Sequence, residues 1–213
     1  MSEEGAQHFA LRALQCSSTL GLKSQHSGLR YLNLMLLLGV GFDDDPQLPW
    51  ARGALHDASR GEELMASLWS DAVVYVKRVA GPKGRAYRKA LLRTRALTKT
   101  VLMLPTWTKA SDGASLLAAL YPEKFATIEK SQEDFFEVAL RHCQRHDEKA
   151  KGVAPLYQVL MFLLGSHFEV DPRYDWASKA LGERPLTGRG AYHGLFDVAR
   201  TALDGALQLL REG

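Results

Sequence analysis

A chain of 213 residues, 46% hydrophobic and 24% charged, has the balance of a globular protein and excludes a disordered or fibrous one. At this length roughly 70% of the surface of the unfolded chain can be buried, so no disulfide or metal staple is required to hold a core. The formal net charge is only +3, which leaves its distribution along the chain as the informative quantity.

The opening MSEEGAQ is acidic and lacks the basic-then-apolar order of a secretion signal. The longest apolar stretch, Leu34 to Phe42, is interrupted by glycine and reaches about half of the roughly 20 residues a membrane-spanning helix needs. A cytoplasmic location without a membrane span is the expectation. Cys16 and Cys143 are the two cysteines. They occupy similar points of two related segments, yet a chain read as cytoplasmic is expected to keep them as thiols.

In chain order, residues 5–16 carry a first amphipathic helical period on Phe9, Leu11, Ala13 and Leu14. Residues 28–39 form a second, very apolar helix that stops at Gly39, where glycine can take the left-handed conformation that closes a helix. In the run Phe42-Asp43-Asp44-Asp45-Pro46, Asp45 is placed to cap orphan N–H groups and Pro46 to open a third helix over 46–57. Trp50, Ala54 and Leu55 then face the core. A fourth helix is expected over 62–79. Gly81-Pro82-Lys83-Gly84 marks a turn, after which one strong helix spans 85–104 and ends at Pro105. A shorter helix over 112–121 and a start signal at Tyr121-Pro122-Glu123 lead into helices over 131–146, 154–165, 172–181 and 188–211. No stretch alternates apolar and polar residues for long enough to make a half-buried strand.

The order of these elements repeats because the sequence does. Of the 25 residues from Tyr31 to Leu55, 13 recur without a gap from Tyr157 to Leu181, where unrelated segments share roughly two. The identities include Tyr31/Tyr157, Gly39/Gly165, Phe42/Phe168, Asp45/Asp171, Pro46/Pro172 and Trp50/Trp176. The expected fold is therefore all-α: a single domain over 1–213 in which two pseudo-symmetric helical repeats, about 5–79 and 131–211, pack as one body. Residues 80–130 are an inserted basic helical segment with no counterpart in either copy.

Two readings compete for the Asp-Pro motifs. Clustered carboxylates at Asp43, Asp44 and Asp45 are what a hard cation requires. The second copy replaces them with Glu169, Val170 and Asp171, so only the capping position is kept, and helix capping is the reading adopted. By the same logic Trp50 and Trp176 are core anchors. His142 and His146 stand four apart on one helix with Asp147 adjacent, a spacing that two metal ligands share, but no third ligand accompanies them. No metal and no cofactor are expected. A Walker loop, a dinucleotide-binding glycine pattern, a nucleophile elbow and a CxxC pair are all absent, and the run Gly182 to Gly190 lacks the Lys-Ser/Thr of a phosphate loop.

The strongest anomaly is electrostatic. From Ala72 to Ser111 there is no acidic residue against ten basic ones, which leaves 17 basic and 24 acidic residues in the rest of the chain. At 100° per residue Arg85, Arg88, Lys89, Arg93, Arg95 and Lys99 fall in one arc, while Tyr87, Ala90, Leu91, Thr94, Leu97, Val101 and Leu104 fill the opposite side. Leu92 and Met103 lie among the basic residues. Either acidic neighbours on the same protein neutralise this face, or it attracts a polyanion.

The functional expectation is a non-enzymatic interaction or adaptor protein that engages an acidic or anionic partner, an acidic protein or a polyanion, through Arg85, Arg88, Lys89, Arg93, Arg95 and Lys99. One alternative is an enzyme or small-ligand binder at the seam between the repeats, where Asp43, Asp44, His167 and Glu169 converge if a two-fold axis relates the halves. Another is a non-specific nucleic-acid-binding protein using the same basic face. It would be non-specific because no Asn or Gln is placed to read base edges.

Overall fold

Several helix ends carry favourable charge or their own hydrogen-bond partners. In the computed structural model, which describes residues 3–55, 61–97, 113–146, 154–182 and 189–212, helix α1 (Glu3–Thr19) places Glu3 and Glu4 in its first turn, where the helix dipole favours negative charge. It buries Phe9, Ala13 and Ser17. Helix α2 (Gln25–Leu38) is opened by Ser24, whose side chain accepts from the Ser27 N–H at 3.1 Å. It is closed by Gly39 at φ +116°, whose N–H donates to the Met35 carbonyl at 3.0 Å. Gly165, at φ +108°, ends helix α9 (Ala154–Leu164) in the same way, with its N–H on the Met161 carbonyl at 2.9 Å.

The remaining helices are α3 (Pro49–Leu55), α4 (Gly61–Ala80), α5 (Arg85–Leu97), α6 (Ala114–Leu120), α7 (Pro122–Ile128), α8 (Gln132–His146), α10 (Asp175–Gly182) and α11 (Arg189–Glu212). The protein is all-α, with no strand among the described residues. No helix among them is long and apolar enough to cross a membrane.

Two boundaries differ from the sequence expectation for one physical reason. Helix α3 begins at Pro49, not Pro46, and Pro172–Tyr174 forms a short 3-10 turn ahead of α10. Asp45 and Asp171 therefore cap turns that precede the helices: Asp45 accepts from the Gln47 N–H at 2.8 Å and Asp171 from the Arg173 N–H at 3.0 Å. The expected helix over 85–104 is present as α5 to Leu97, and Lys99, Val101, Met103, Leu104 and Pro105 lie outside the described residues. Asp147 and the 183–188 part of the glycine run lie outside them as well.

Burial falls into two clusters. One gathers Phe9, Tyr31, Leu34, Met35, Phe42, Leu64, Met65 and Leu68 from the first four helices. The other, built from Val79 onward, gathers Phe135, Phe136, Tyr157, Leu160, Phe162, Phe168, Leu195 and Leu203 among others. Tyr75 of α4 packs against both. Trp50 and Trp176 are half-buried at the edges of these clusters and are not fully enclosed anchors. Cys16 and Cys143 form no disulfide among the described residues, and Cys143 is buried. Helix α5 packs on α4 and α11, which fixes the side it turns to solvent.

Candidate functional site

The loops that follow α2 and α9 meet face to face, and each depends on a carboxylate from the other. Asp45, only 3% exposed, accepts from the Ser166 N–H at 2.9 Å and from the Ser166 hydroxyl at 2.5 Å. Asp171, equally buried, accepts from the Val40 N–H at 3.1 Å. The neighbouring side chains extend the exchange. Gln47 Nε2 donates to the Met161 carbonyl at 3.0 Å, and Arg173 Nη1 donates to the Leu36 carbonyl at 2.7 Å, each satisfying the last turn of the opposite helix. Arg173 also holds Asp171 through Nη2 at 2.6 Å.

Of the seam residues singled out from the sequence, Asp43 and Glu169 are engaged within their own segments. The Tyr31 hydroxyl donates to Asp43 at 2.9 Å and the Tyr157 hydroxyl to Glu169 at 2.6 Å. Burial first, then the adjacent carboxylate, pushes both phenols far above the usual tyrosine range. Asp44 is exposed, with Arg52 at 3.8 Å. His167 lies flat over Gly41: a Cβ there would stand 2.4 Å from His167 Cδ2, and Gly41 has φ +71°. Asp44 and His167 do line one polar cleft of about 390 Å³, together with Asp134, Glu137, Arg141 and His142. Asp43 and Glu169 turn to their tyrosines, and Glu169 reaches the cleft through His142.

His142 stands 3.8 Å from Glu169 through Nδ1, and burial lowers its pKa despite the carboxylate. Nδ1 makes no hydrogen bond among the described residues. No group of three His, Cys, Asp or Glu side chains among the described residues converges to hold a metal ion.

On α5, Ala86, Ala90, Leu91 and Thr94 are buried, and Arg85, Arg88, Lys89, Arg93 and Arg95 are exposed. Arg95 pairs with Asp204 of α11, and Arg93 donates to the Leu120 carbonyl at 3.3 Å. Arg85, Arg88 and Lys89 have no carboxylate partner among the described residues. Leu92, 40% exposed, opens with Ala96, Arg200 and Thr201 onto a groove between α5 and α11.

The seam also holds a cavity whose lining differs from the seam residues singled out from the sequence. About 290 Å³ in volume, it lies at the seam between Asp45, Gln47, Lys124 and Arg173, with Tyr75, Tyr87, Tyr121 and Tyr174 among its walls. Lys124 is 8% exposed and donates to the Phe162 carbonyl at 2.5 Å. Burial lowers its ammonium to a pKa of about 8. The available clue was helical spacing, which sets Lys124 on the face of buried Tyr121 and Ile128. Comparison of the chain with protein-family models, with curated proteins and with solved structures finds no match to any of them.

Proposed function

We propose that this is a non-enzymatic helical interaction protein that engages an acidic protein partner through the exposed face of α5 and the groove beside it. The observation that carries the reading is the split of α5 itself: five basic side chains lie in solvent on one side, and small or apolar residues are buried on the other. Neutralisation from within is partial, since Asp204 is the carboxylate that meets this face among the described residues. Ion pairs at such exposed positions contribute little to folding, whereas a cluster of like charge attracts an anionic surface over roughly 10 Å at 0.1 M salt. Exposed Leu92 beside the groove favours a peptide with apolar side chains over a nucleic acid. Tyr87, the aromatic residue of this helix, packs inward and offers no stacking platform to bases.

The body that presents this helix is, in the same proposal, two copies of one unit, about 5–79 and 131–211, related by a pseudo-two-fold axis and joined by the insert 80–130. Positions 126 apart exchanging partners across the seam support it: Asp45 serves Ser166 and Asp171 serves Val40. Tyr31 and Tyr157 bind Asp43 and Glu169, again 126 apart, and Gly41 packs on its own counterpart His167.

The test is fluorescence anisotropy of a labelled Glu/Leu-rich 20-residue peptide, with single- and double-stranded DNA of similar charge as competitors. Saturable peptide binding that weakens from 50 to 200 mM salt, and that falls at least tenfold in the Arg85→Gln/Arg88→Gln/Lys89→Gln variant, is expected. Peptide binding unaffected by the variant would overturn the assignment to α5. Tighter binding of DNA than of peptide would transfer the face to nucleic acid.

A further inference from the structure

A buried amide, Gln47, and a buried ammonium, Lys124, stand at the seam cavity. Gln47 is 1% exposed, and its amide orientation is fixed because Nε2 faces acceptors: the Met161 carbonyl at 3.0 Å, the Ser166 hydroxyl at 3.2 Å and Asp45 at 3.4 Å. Its Oε1 is consequently left buried without a hydrogen-bond partner among the described residues. An unmade bond of this kind is costly and rare in native interiors. Lys124 Nζ carries three donors, of which one goes to the Phe162 carbonyl, while the Phe162 ring lies 5.4 Å away.

The other charges of the cavity are engaged. Arg173 is bound to Asp171 and to the Leu36 carbonyl, and Asp45 accepts from Ser166 and Gln47. Among the described residues lining the cavity, Lys124 is thus the cation with no carboxylate bonded to it, in a wall that also holds Asp45, Gln47 and Arg173 and is otherwise built of tyrosine, leucine, valine and alanine side chains. The volume of about 290 Å³ lies at the lower end of ligand pockets, which selects a small molecule over a nucleotide cofactor.

We propose that this cavity binds a small aromatic carboxylate, with the carboxylate on Lys124 Nζ and the ring among Tyr75, Tyr87, Tyr121 and Tyr174. A carboxylate supplies the charge-assisted hydrogen bonds the buried ammonium lacks. A planar ring fits a tyrosine-lined wall better than a flexible chain because offset and edge-to-face ring contacts add to plain apolar burial.

The proposal implies a pH dependence with a defined sign. The titratable and charged groups facing Lys124 across the cavity are Asp45 before α3, Arg173 and Tyr174 before α10, Tyr75 of α4, Tyr87 of α5 and Tyr121 before α7. The guanidinium stays charged throughout. All four tyrosines are pushed above their ordinary range by burial, Tyr87 to about 12. Between pH 7 and 9 the cavity group that changes charge is Lys124, whose pKa is about 8.

The experiment is isothermal titration of the full chain with phenylacetate, phenylacetamide and hexanoate at pH 7 and pH 9. Expected are one saturable phenylacetate site at pH 7, affinity about tenfold weaker at pH 9 as Lys124 loses its proton, and at least tenfold weaker binding of phenylacetamide and hexanoate. Lys124→Met is expected to reduce phenylacetate affinity at least tenfold at pH 7, with Lys23→Gln, an exposed cation outside the cavity wall, as a control that leaves it unchanged. No phenylacetate binding, equal binding of the amide, equal binding of hexanoate, or affinity unaltered at pH 9 would each overturn the proposal. The pH arm uses the unaltered protein, so it decides the matter even if Lys124→Met fails to fold.

Discussion

Charge is used in opposite ways at the seam and on α5. At the seam Asp45 and Asp171 are each 3% exposed, and their oxygens are committed to donors of both loops: Gln47 and Ser166 for Asp45, Arg173 and Val40 for Asp171. On α5 the basic groups stand in water, and Arg85, Arg88 and Lys89 have no carboxylate among the described residues. Removing a buried, fully engaged charge strands its partners, whereas removing an exposed one strands nothing. Folding is therefore expected to depend on the seam charges far more than on Arg85, Arg88 and Lys89.

The sharpest way to break this contrast is at the seam. Asp171→Ala is expected to cost about 3–5 kcal/mol, because the Val40 and Arg173 N–H groups and the Arg173 guanidinium lose their acceptor together. Asp45→Ala is expected to cost somewhat less, about 3 kcal/mol, since its donors on Ser166 and Gln47 are neutral. Urea denaturation measures both, and a loss below about 1 kcal/mol for either would mean that the cross-seam exchange does not hold the loops.

Gly41→Ala sharpens the same region by geometry alone. The added Cβ falls 2.4 Å from the His167 ring at a backbone φ of +71°, and we expect a loss of about 2 kcal/mol. His167→Ala in the same chain should recover the steric part of that loss and leave the backbone part.

Lys124 connects the two regimes, being a charge buried at the seam without a carboxylate bonded to it. Its pKa of about 8 when folded lies below the ordinary value, so between pH 8 and about 10 the unfolded chain keeps a proton the folded chain has released. Raising the pH through that window therefore stabilises the fold, by up to about 1.4 kcal/mol per pH unit. Lys124→Met should flatten the slope. Above about pH 10 the sign reverses, because Tyr31 and Tyr157 resist ionisation when folded and ionise freely when unfolded. Unfolding midpoints in urea from pH 7 to 11 test both limbs.

How much of this was readable beforehand depends on how far each contact reaches along the chain. Gly39 and Gly165 as helix ends, the Asp45/Asp171 correspondence and the two-sided character of α5 are local or periodic features, and the sequence displays them. That Asp45 serves Ser166, 121 residues away, was not readable, because a carboxylate capping its own turn and one reaching across a seam have the same local pattern. The same holds for the shift of the helix start from Pro46 to Pro49: the Asp45-Pro46 pair organises a turn with its side chain committed across the seam. Lys124 was hidden because a lysine in a Pro-Glu-Lys helix start reads as solvated. Its burial comes from α9, whose Phe162 carbonyl lies 38 residues on. Among the seam residues named from sequence, Asp44 and His167 share a cleft, while the tyrosine partners of Asp43 and Glu169 lie twelve residues back on the preceding helices.

The contrast between the two regions is tested most directly by the unfolding free energy of the Arg85→Gln/Arg88→Gln/Lys89→Gln chain in urea at 50 mM salt. If these charges are surplus to the fold, stability should stay within about 0.5 kcal/mol of the unaltered protein. A loss of about 2 kcal/mol or more would show that the basic face is neutralised from within and holds the helix in place, and would contradict the account.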